Sequence, residues 1–310
     1  MDMTYSHKIN EIKAQLVEYI GGKEESIELA LIAIFSNGHL LIEDLPGLGK
    51  TTLALGLAKS LGLGFGRVQA TNDLLPSDIV GVSIFDKNTN QFNFHKGPVF
   101  NDILLLDEIN RATPRTQSAL LEAMAERQVT ADGKTYDLSN PFFVIATQNP
   151  VEHNSTFDLP EAQLDRFLIK MSIGYPTEEA EIEILGSSQA IEKRYEDLKS
   201  VLSRLDVINI QNDISSNVEV SREILSYVVR LARTLREDKR LVLGVSLRAN
   251  VFLIDAVKTY SYFDGRDYVK PEDIKKLFHS VISHRIVVKD EYSDISKDEI
   301  INELLNSIAI

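Results

Sequence analysis

The stretch His39–Thr52, HLLIEDLPGLGKTT, constrains this chain more than any other. Leu40, Leu41 and Ile42 make an apolar run of the kind that forms a strand buried on both faces. Pro46, Gly47 and Gly49 then demand a compact loop, and Thr51–Leu61 (TTLALGLAKSL) reads as a helix. Strand, glycine-rich loop and helix in that order build an anion cradle. Glycines let backbone N–H groups turn inward, and the helix N-terminus adds partial positive charge. Lys50 is set to reach the outer phosphates of a nucleotide, and the Thr51 hydroxyl to ligate Mg²⁺. The pattern G-x-x-x-x-G-K-[ST] runs here from Asp44 to Thr51, with Asp44 in the place of its first glycine. An acidic side chain there has to point away from the phosphates.

At 310 residues the chain is too long for one ordinary core, so two domains are expected. Its 44% hydrophobic and 25% charged residues are those of a soluble globular protein. The longest apolar run near the N-terminus, Leu29–Phe35, is far too short to cross a bilayer, so no integral membrane protein is expected. The opening residues lack the layout of a signal peptide, and the cytoplasm is the expected compartment. With no cysteine there is neither a disulfide framework nor thiolate chemistry. A net charge of −13 argues against general affinity for nucleic acid or anionic lipid.

Residues 6–35 carry helical apolar spacing, broken at Gly21-Gly22. Gly66–Thr71 is a second strand candidate. Asn72–Gly97 departs from the pattern: a polar DKNTN turn and the alternating QFNFH read as a hairpin interrupting a helical region. Ile103–Leu106 is a buried strand ending in Asp107-Glu108. Pro114–Arg127 reads as a helix, Val129–Asp137 as a hairpin around Asp132-Gly133, and Phe142–Ala146 as another buried strand that leads to Asn149. Leu168–Ile173 supplies one more strand. Strands alternating with helices imply an α/β fold with a mostly parallel sheet and its ligand at the C-terminal strand ends. After Tyr175-Pro176-Thr177 the chain looks helical, with Thr177 as an N-cap and helices over Glu223–Arg236, Arg248–Phe263 and Pro271–Val288. The expected division is a nucleotide-binding core over 1–175 and an all-helical lid over 176–310.

Asp107 is placed to hold the Mg²⁺ shell, and the adjacent Glu108 to accept a proton from an attacking water. Asn149, an amide at the end of a separate strand, can orient that water without adding charge. Arg166, in LPEAQLDRF, is expected at the sheet edge, away from its own phosphate loop, where it can serve a neighbouring subunit; taken alone it reads first as an ion pair with Glu161 or Asp165. Arg248 opens a lid helix (VSLRANVFL) and can close on the nucleotide from above; taken alone it reads first as an exposed helix charge.

Taken together, EDLPGLGKT, LLLDEINRATPRTQSALLEAMAERQVT, ATQNPVEHNSTFDLPEAQLDRF and GVSLRA resemble the MoxR family of AAA+ ATPases. The resemblance implies an AAA+ P-loop core and a lid, with ATP and Mg²⁺ as cofactors. It implies a Walker A motif from Asp44 through Leu45, Pro46, Gly47, Leu48, Gly49 and Lys50 to Thr51, continued by Thr52. It implies a Walker B motif over 103–108, sensor 1 at Asn149, an arginine finger at Arg166 and sensor 2 at Arg248. Ile20 and Gly22 match the segment that packs on adenine. Asn72–Gly97 would be the helix-2 insert and 129–137 the pre-sensor hairpin. Members resemble chaperone-like ATPases that form homo-oligomeric, hexameric rings, often act with a von Willebrand factor A domain protein, and remodel protein complexes or help load metal cofactors. Val245 and Leu247 depart from the usual GASPRA wording of sensor 2. The nearest rival readings are a magnesium-chelatase-like subunit and a nucleotide-dependent scaffold with little turnover; Glu108 and Asn149 speak against the scaffold, which needs neither.

Overall fold

The computed structural model describes residues 3–151, 156–186 and 195–308. Five parallel strands form the central sheet: β1 (Leu40–Glu43), β2 (Phe65–Gln69), β5 (Ile103–Asp107), β8 (Phe143–Gln148) and β9 (Ile169–Met171), in the order β2-β5-β8-β1-β9. Two antiparallel hairpins interrupt the alternation, β3 (Gly81–Asp86) with β4 (Gln91–Lys96) and β6 (Gln128–Ala131) with β7 (Lys134–Asp137).

The period of two along each strand divides the interior. Leu40, Ile42, Leu105 and Ile145 face one core together with helices α1 (Met3–Ile20), α2 (Glu24–Phe35) and α3 (Lys50–Ser60). Leu41, Leu104, Leu106 and Val144 face the other, covered by α4 (Pro76–Val80) and α5 (Pro114–Glu126). A short α6 (Glu161–Leu164) leads into β9.

The C-terminal part is built from α7 (Glu178–Gly186), α8 (Arg204–Asn217), α9 (Arg222–Glu237), α10 (Leu247–Phe263), α11 (Pro271–Ile282) and α12 (Lys297–Ser307). Its apolar residues, among them Tyr227, Leu253 and Phe278, continue the first core, and α10 packs directly against α1 and α2, with α8 against α2. Two details differ from the sequence reading. The lid is not wholly helical, because β10 (Leu241–Leu243) pairs with β11 (Val287–Val288). The helix begun at Pro271 therefore stops at Ile282 and turns through Ser283–Arg285, where His284 and Arg285 are buried and the β-branched run Ile286-Val287-Val288 favours extended chain. Helix α8 is an addition to that reading; Ser203 and Asp206 cap it reciprocally, at 3.2 and 2.9 Å.

In the β3–β4 hairpin Phe94 stacks on Tyr136 of the second hairpin, ring centroids 4.4 Å apart, while Phe92 stays 72% exposed against Phe85. One aromatic thus anchors the hairpin and the other stands beside its turn.

Candidate active site

Because the sheet is parallel, the loops after β1, β5 and β8 open on the same edge, and there they enclose a cavity of about 340 Å³. Pro46, Gly47, Gly49, Lys50, Thr51 and Thr52 line it from the β1–α3 loop. Asp107, Glu108 and Asn149 line it from the two central strands. Gly47 and Gly49 hold φ of 85° and 87°, the left-handed region that glycine tolerates, and nothing lies within 4 Å of where a side chain would project. The loop therefore leaves open space in front of the N-terminus of α3. Lys50 Nζ donates to the carbonyls of Asp44 at 2.8 Å and Leu45 at 2.7 Å, folding back along its own loop. Partial burial pushes its pKa down, against the pull of Asp44, Asp107 and Glu108.

Asp44 is buried, and its carboxylate faces away from this space. It accepts from Ser172 Oγ at 2.9 Å, from the N–H of Ile173 and from the N–H of Gly174 at 3.2 Å. Lys23 meets the same segment from the other side, donating to the carbonyls of Ile173 at 3.0 Å and Gly174 at 2.9 Å. Ile20 and Gly22 stand in the turn just before Lys23, next to the segment that closes β9, and do not line the cavity. Leu45 and Leu48 belong to the loop without lining it.

Four side chains that sequence reasoning missed complete the carboxylate end. Arg67 places Nε and Nη2 each 2.8 Å from Asp107 Oδ2. Gln69 Nε2 donates to Glu108 Oε2 at 2.8 Å, and Arg111 Nε lies 3.1 Å from the same oxygen. The buried Thr147 hydroxyl accepts the Glu108 N–H at 2.9 Å and donates to Asp107 Oδ1 at 3.4 Å. Glu108 itself adopts φ 57°, left-handed for a residue with a side chain, at a cost on the order of 1 kcal/mol. Arg67 and Gln69 share a face of β2 by their i, i+2 spacing, and the pairing of Gln69 with Asp107 shows what that face meets. Asn149 is buried, and its Oδ1 accepts from Val151 N at 3.2 Å, which fixes the amide.

An oxygen set of one hydroxyl and one carboxylate, Thr51 and Asp107, is what Mg²⁺ takes when phosphates and water complete its shell. Among the described residues no cluster of three or more His, Asp or Glu forms a dedicated metal cage. Open space, a helix N-terminus, a lysine and this oxygen pair fit Mg-ATP.

The sequence profile of the ATPase family associated with various cellular activities (AAA) matches residues 39–169, and that of the AAA lid domain matches 233–304. The chain is 38% identical to Chaperone MoxR1 of Mycobacterium tuberculosis, over 99% of this chain and 82% of that one. It belongs to the MoxR family of AAA+ ATPases. This MoxR-family chain is also 42% identical to the uncharacterized protein YeaC of Bacillus subtilis, over 99% of this chain and 98% of the relative. A crystal structure of a Cytophaga hutchinsonii protein, named for an inferred ATPase activity, superposes with a TM-score of 0.88 at 37% identity, covering 99% and 98% of the two chains. The residues 152–155, part of the ATQNP-to-LDRF motif, lie outside the described residues.

The two arginines singled out in this MoxR-family sequence are elsewhere. Arg166 precedes β9, so it lies at the N-terminal end of the sheet, and its guanidinium donates to the Leu121 carbonyl of α5. Ile169 is level with Leu40, and the four residues from there to Asp44 span roughly 13 Å at about 3.3 Å each. Arg248 opens α10 and pairs with Asp165 at 3.4 Å. Neither lines the cavity, and Arg248 does not close over it from above. The lid folds back along β9, so the start of α10 meets the chain beside Arg166 rather than the phosphate loop of the same chain.

Proposed function

We propose that this MoxR-family protein hydrolyses ATP to remodel or assemble partner proteins, in a ring whose catalytic groups are divided between neighbouring chains. Within one chain the loop N–H groups and Lys50 bind the phosphates, Thr51 and Asp107 hold Mg²⁺, and the turn with Ile20 and Gly22 packs on the base. When bound, the metal neutralises charge between the phosphates. Glu108, engaged through Oε2 by Gln69 and Arg111, has Oε1 left to take a proton from water that the Asn149 amide orients. The family resemblance extends the reading to a hexameric ring in the cytoplasm and to a client that includes a von Willebrand factor A domain protein, with metal-cofactor loading as one use.

The observation that carries this reading is the separation just described. Among the described residues Lys50 and Arg67 are the cations lining the cavity, and Arg67 is committed to Asp107, whereas Arg248 pairs beyond it with Asp165, the residue before Arg166. Charge developing on the γ-phosphate opposite Lys50 calls for a further cation, worth roughly a thousandfold in rate. A neighbour's Arg166 and Arg248 supply it. Leu247, 75% exposed, and Val251, 58% exposed, flank Arg248 on α10 and suit this face to a second copy.

Arg166→Ala should lose turnover by roughly a thousandfold while ATP binding is spared. Turnover per wild-type chain should rise with protein concentration, and mixing Arg166→Ala with Lys50→Ala should restore part of the activity. Flat specific activity on dilution together with an active Arg166→Ala variant would sink the reading.

A further inference from the structure

Asp165, one residue before Arg166, is where the lid takes hold of the sheet edge. Its carboxylate accepts the Ser246 hydroxyl at 3.0 and 3.1 Å, Arg248 Nη1 at 3.4 Å and Arg285 Nε at 3.0 Å. Arg285 is buried, its side chain 1% exposed. Beyond Asp165 it donates to the carbonyls of Phe167, Leu168 and Val281, and its guanidinium lies 5.3 Å from the centre of the Phe252 ring. His284 Nε2 is 3.1 Å from the Phe167 carbonyl. Four lid side chains from two separate lid segments therefore grip residues 165–168, the short span from which Arg166 projects.

A guanidinium taken out of water costs several kcal/mol and is kept only where its donors are paired. Burial pulls the Arg285 pKa down to about 10, and Asp165 works against that fall. Such a pair is a weak source of stability compared with apolar packing of the same volume, so its use here is better sought in what it holds still. It holds Arg166 through the backbone and Arg248 through the shared carboxylate.

We propose that Asp165 and Arg285 are positioning residues for Arg166 and Arg248, so that the lid of one chain sets the hydrolysis rate in its neighbour's cavity rather than in its own. This rests on the trans-acting arginines proposed above. The Asp165 carboxylate ties Arg248 to the backbone that carries Arg166, and Arg285 ties that backbone to the lid. A lid that shifts carries both arginines away from the γ-phosphate they serve. The nucleotide loop of the same chain is untouched by that shift.

The test uses Asp165→Asn and Arg285→Lys in the full chain, with ATP affinity by calorimetry, assembly by light scattering and turnover per chain. Each variant should bind ATP within about twofold of wild type and assemble normally, while kcat falls on the order of tenfold or more. Mixed in equal amounts with Lys50→Ala, which carries intact arginines but an impaired cavity, each should regain part of its activity. Mixed with Arg166→Ala, neither should, because both members then lack a placed arginine. Full turnover in both variants, weakened ATP affinity, or rescue by Arg166→Ala would overturn the inference. If Asp165→Asn does not fold, Arg285→Lys, which keeps the charge and loses the fork, carries the same outcomes. An Arg166→Ala variant that stays active overturns the underlying reading instead; an inactive one beside fully active Asp165→Asn and Arg285→Lys overturns this inference alone.

Discussion

The two ends of the central sheet are furnished with opposite chemistry. At the C-terminal end Asp107 and Glu108 sit in front of a loop that offers N–H groups, one lysine and open space. At the N-terminal end of β9, Arg248 and Arg285 pair with the single carboxylate of Asp165, and the adjacent Arg166 donates to the Leu121 carbonyl. On the proposed reading the first end binds a nucleotide and a metal and, among the described residues, lacks a spare cation for charge that develops during reaction. The second has cations and no cradle. On the reading proposed above, each end is one half of a site, and what distinguishes them is which step fails when they are damaged.

The comparison predicts that damage at the carboxylate end separates into binding and chemistry. Glu108→Gln should keep ATP affinity while turnover falls by a factor on the order of a hundred or more. Calorimetry with a turnover assay checks both halves, and surviving hydrolysis would move the base elsewhere. Lys50→Ala should act on affinity instead, by roughly a hundredfold, because charge-assisted bonds to phosphate are worth about 1.5–3 kcal/mol each. Near wild-type binding by that variant would remove the phosphate-loop assignment.

Acid should act first at the arginine end, where the buried histidines lie. His39, at the start of β1, accepts the Val144 N–H at Nδ1, 3.0 Å, and packs Nε2 against the Met124 carbonyl at 3.3 Å. Burial, with Arg127 nearby, lowers its pKa to about 3, against the pull of the Met124 carbonyl. His284 is lowered too, by burial and by Arg285. An unfolded histidine takes its proton near pH 6.5, so between that pH and about 3 the unfolded chain binds more protons, and stability falls as pH falls. At pH 5 His39 alone should lower stability by about 2 kcal/mol relative to pH 7.5. Denaturant melts at the two pH values check this, with a shallower acid slope expected for His39→Gln.

The smallest effect on turnover is expected far from both ends. Shortening the β3–β4 hairpin across Asp86–Gln91 removes an exposed tip while Phe94 stays stacked on Tyr136, so stability should change by about 0.5 kcal/mol or less and ATPase activity by less than about twofold. What should be lost is the coupling of turnover to a client. A shortened chain that did not fold would make the hairpin part of the core.

The carboxylate end was legible because its residues close strands whose apolar runs, Leu40–Ile42 and Ile103–Leu106, stand out in sequence. Arg67 and Gln69 were not, since single polar residues on a strand read as solvent-facing until the neighbouring strand is in register. Helix α8 hid its buried stripe of Val207, Ile210 and Ile214 among asparagines, serines and aspartates. The partner of Arg248 could not be read at all. Residues 165 and 248 meet only because the lid folds back along β9, and nothing local to either position records that.

Asp44 gives the phosphate loop a property that a glycine at the same place would not. Through Ser172, Ile173 and Gly174 its carboxylate ties the loop to the end of β9, and Lys23 ties that same segment to the turn after α1. A cradle held this way loses little conformational freedom when an anion arrives, so less of the binding free energy goes into ordering it. Loop length at 172–175 should then be a determinant of nucleotide affinity. Inserting one residue there, more than a hundred positions from Lys50, should loosen the grip on the phosphates while leaving every group that touches them in place.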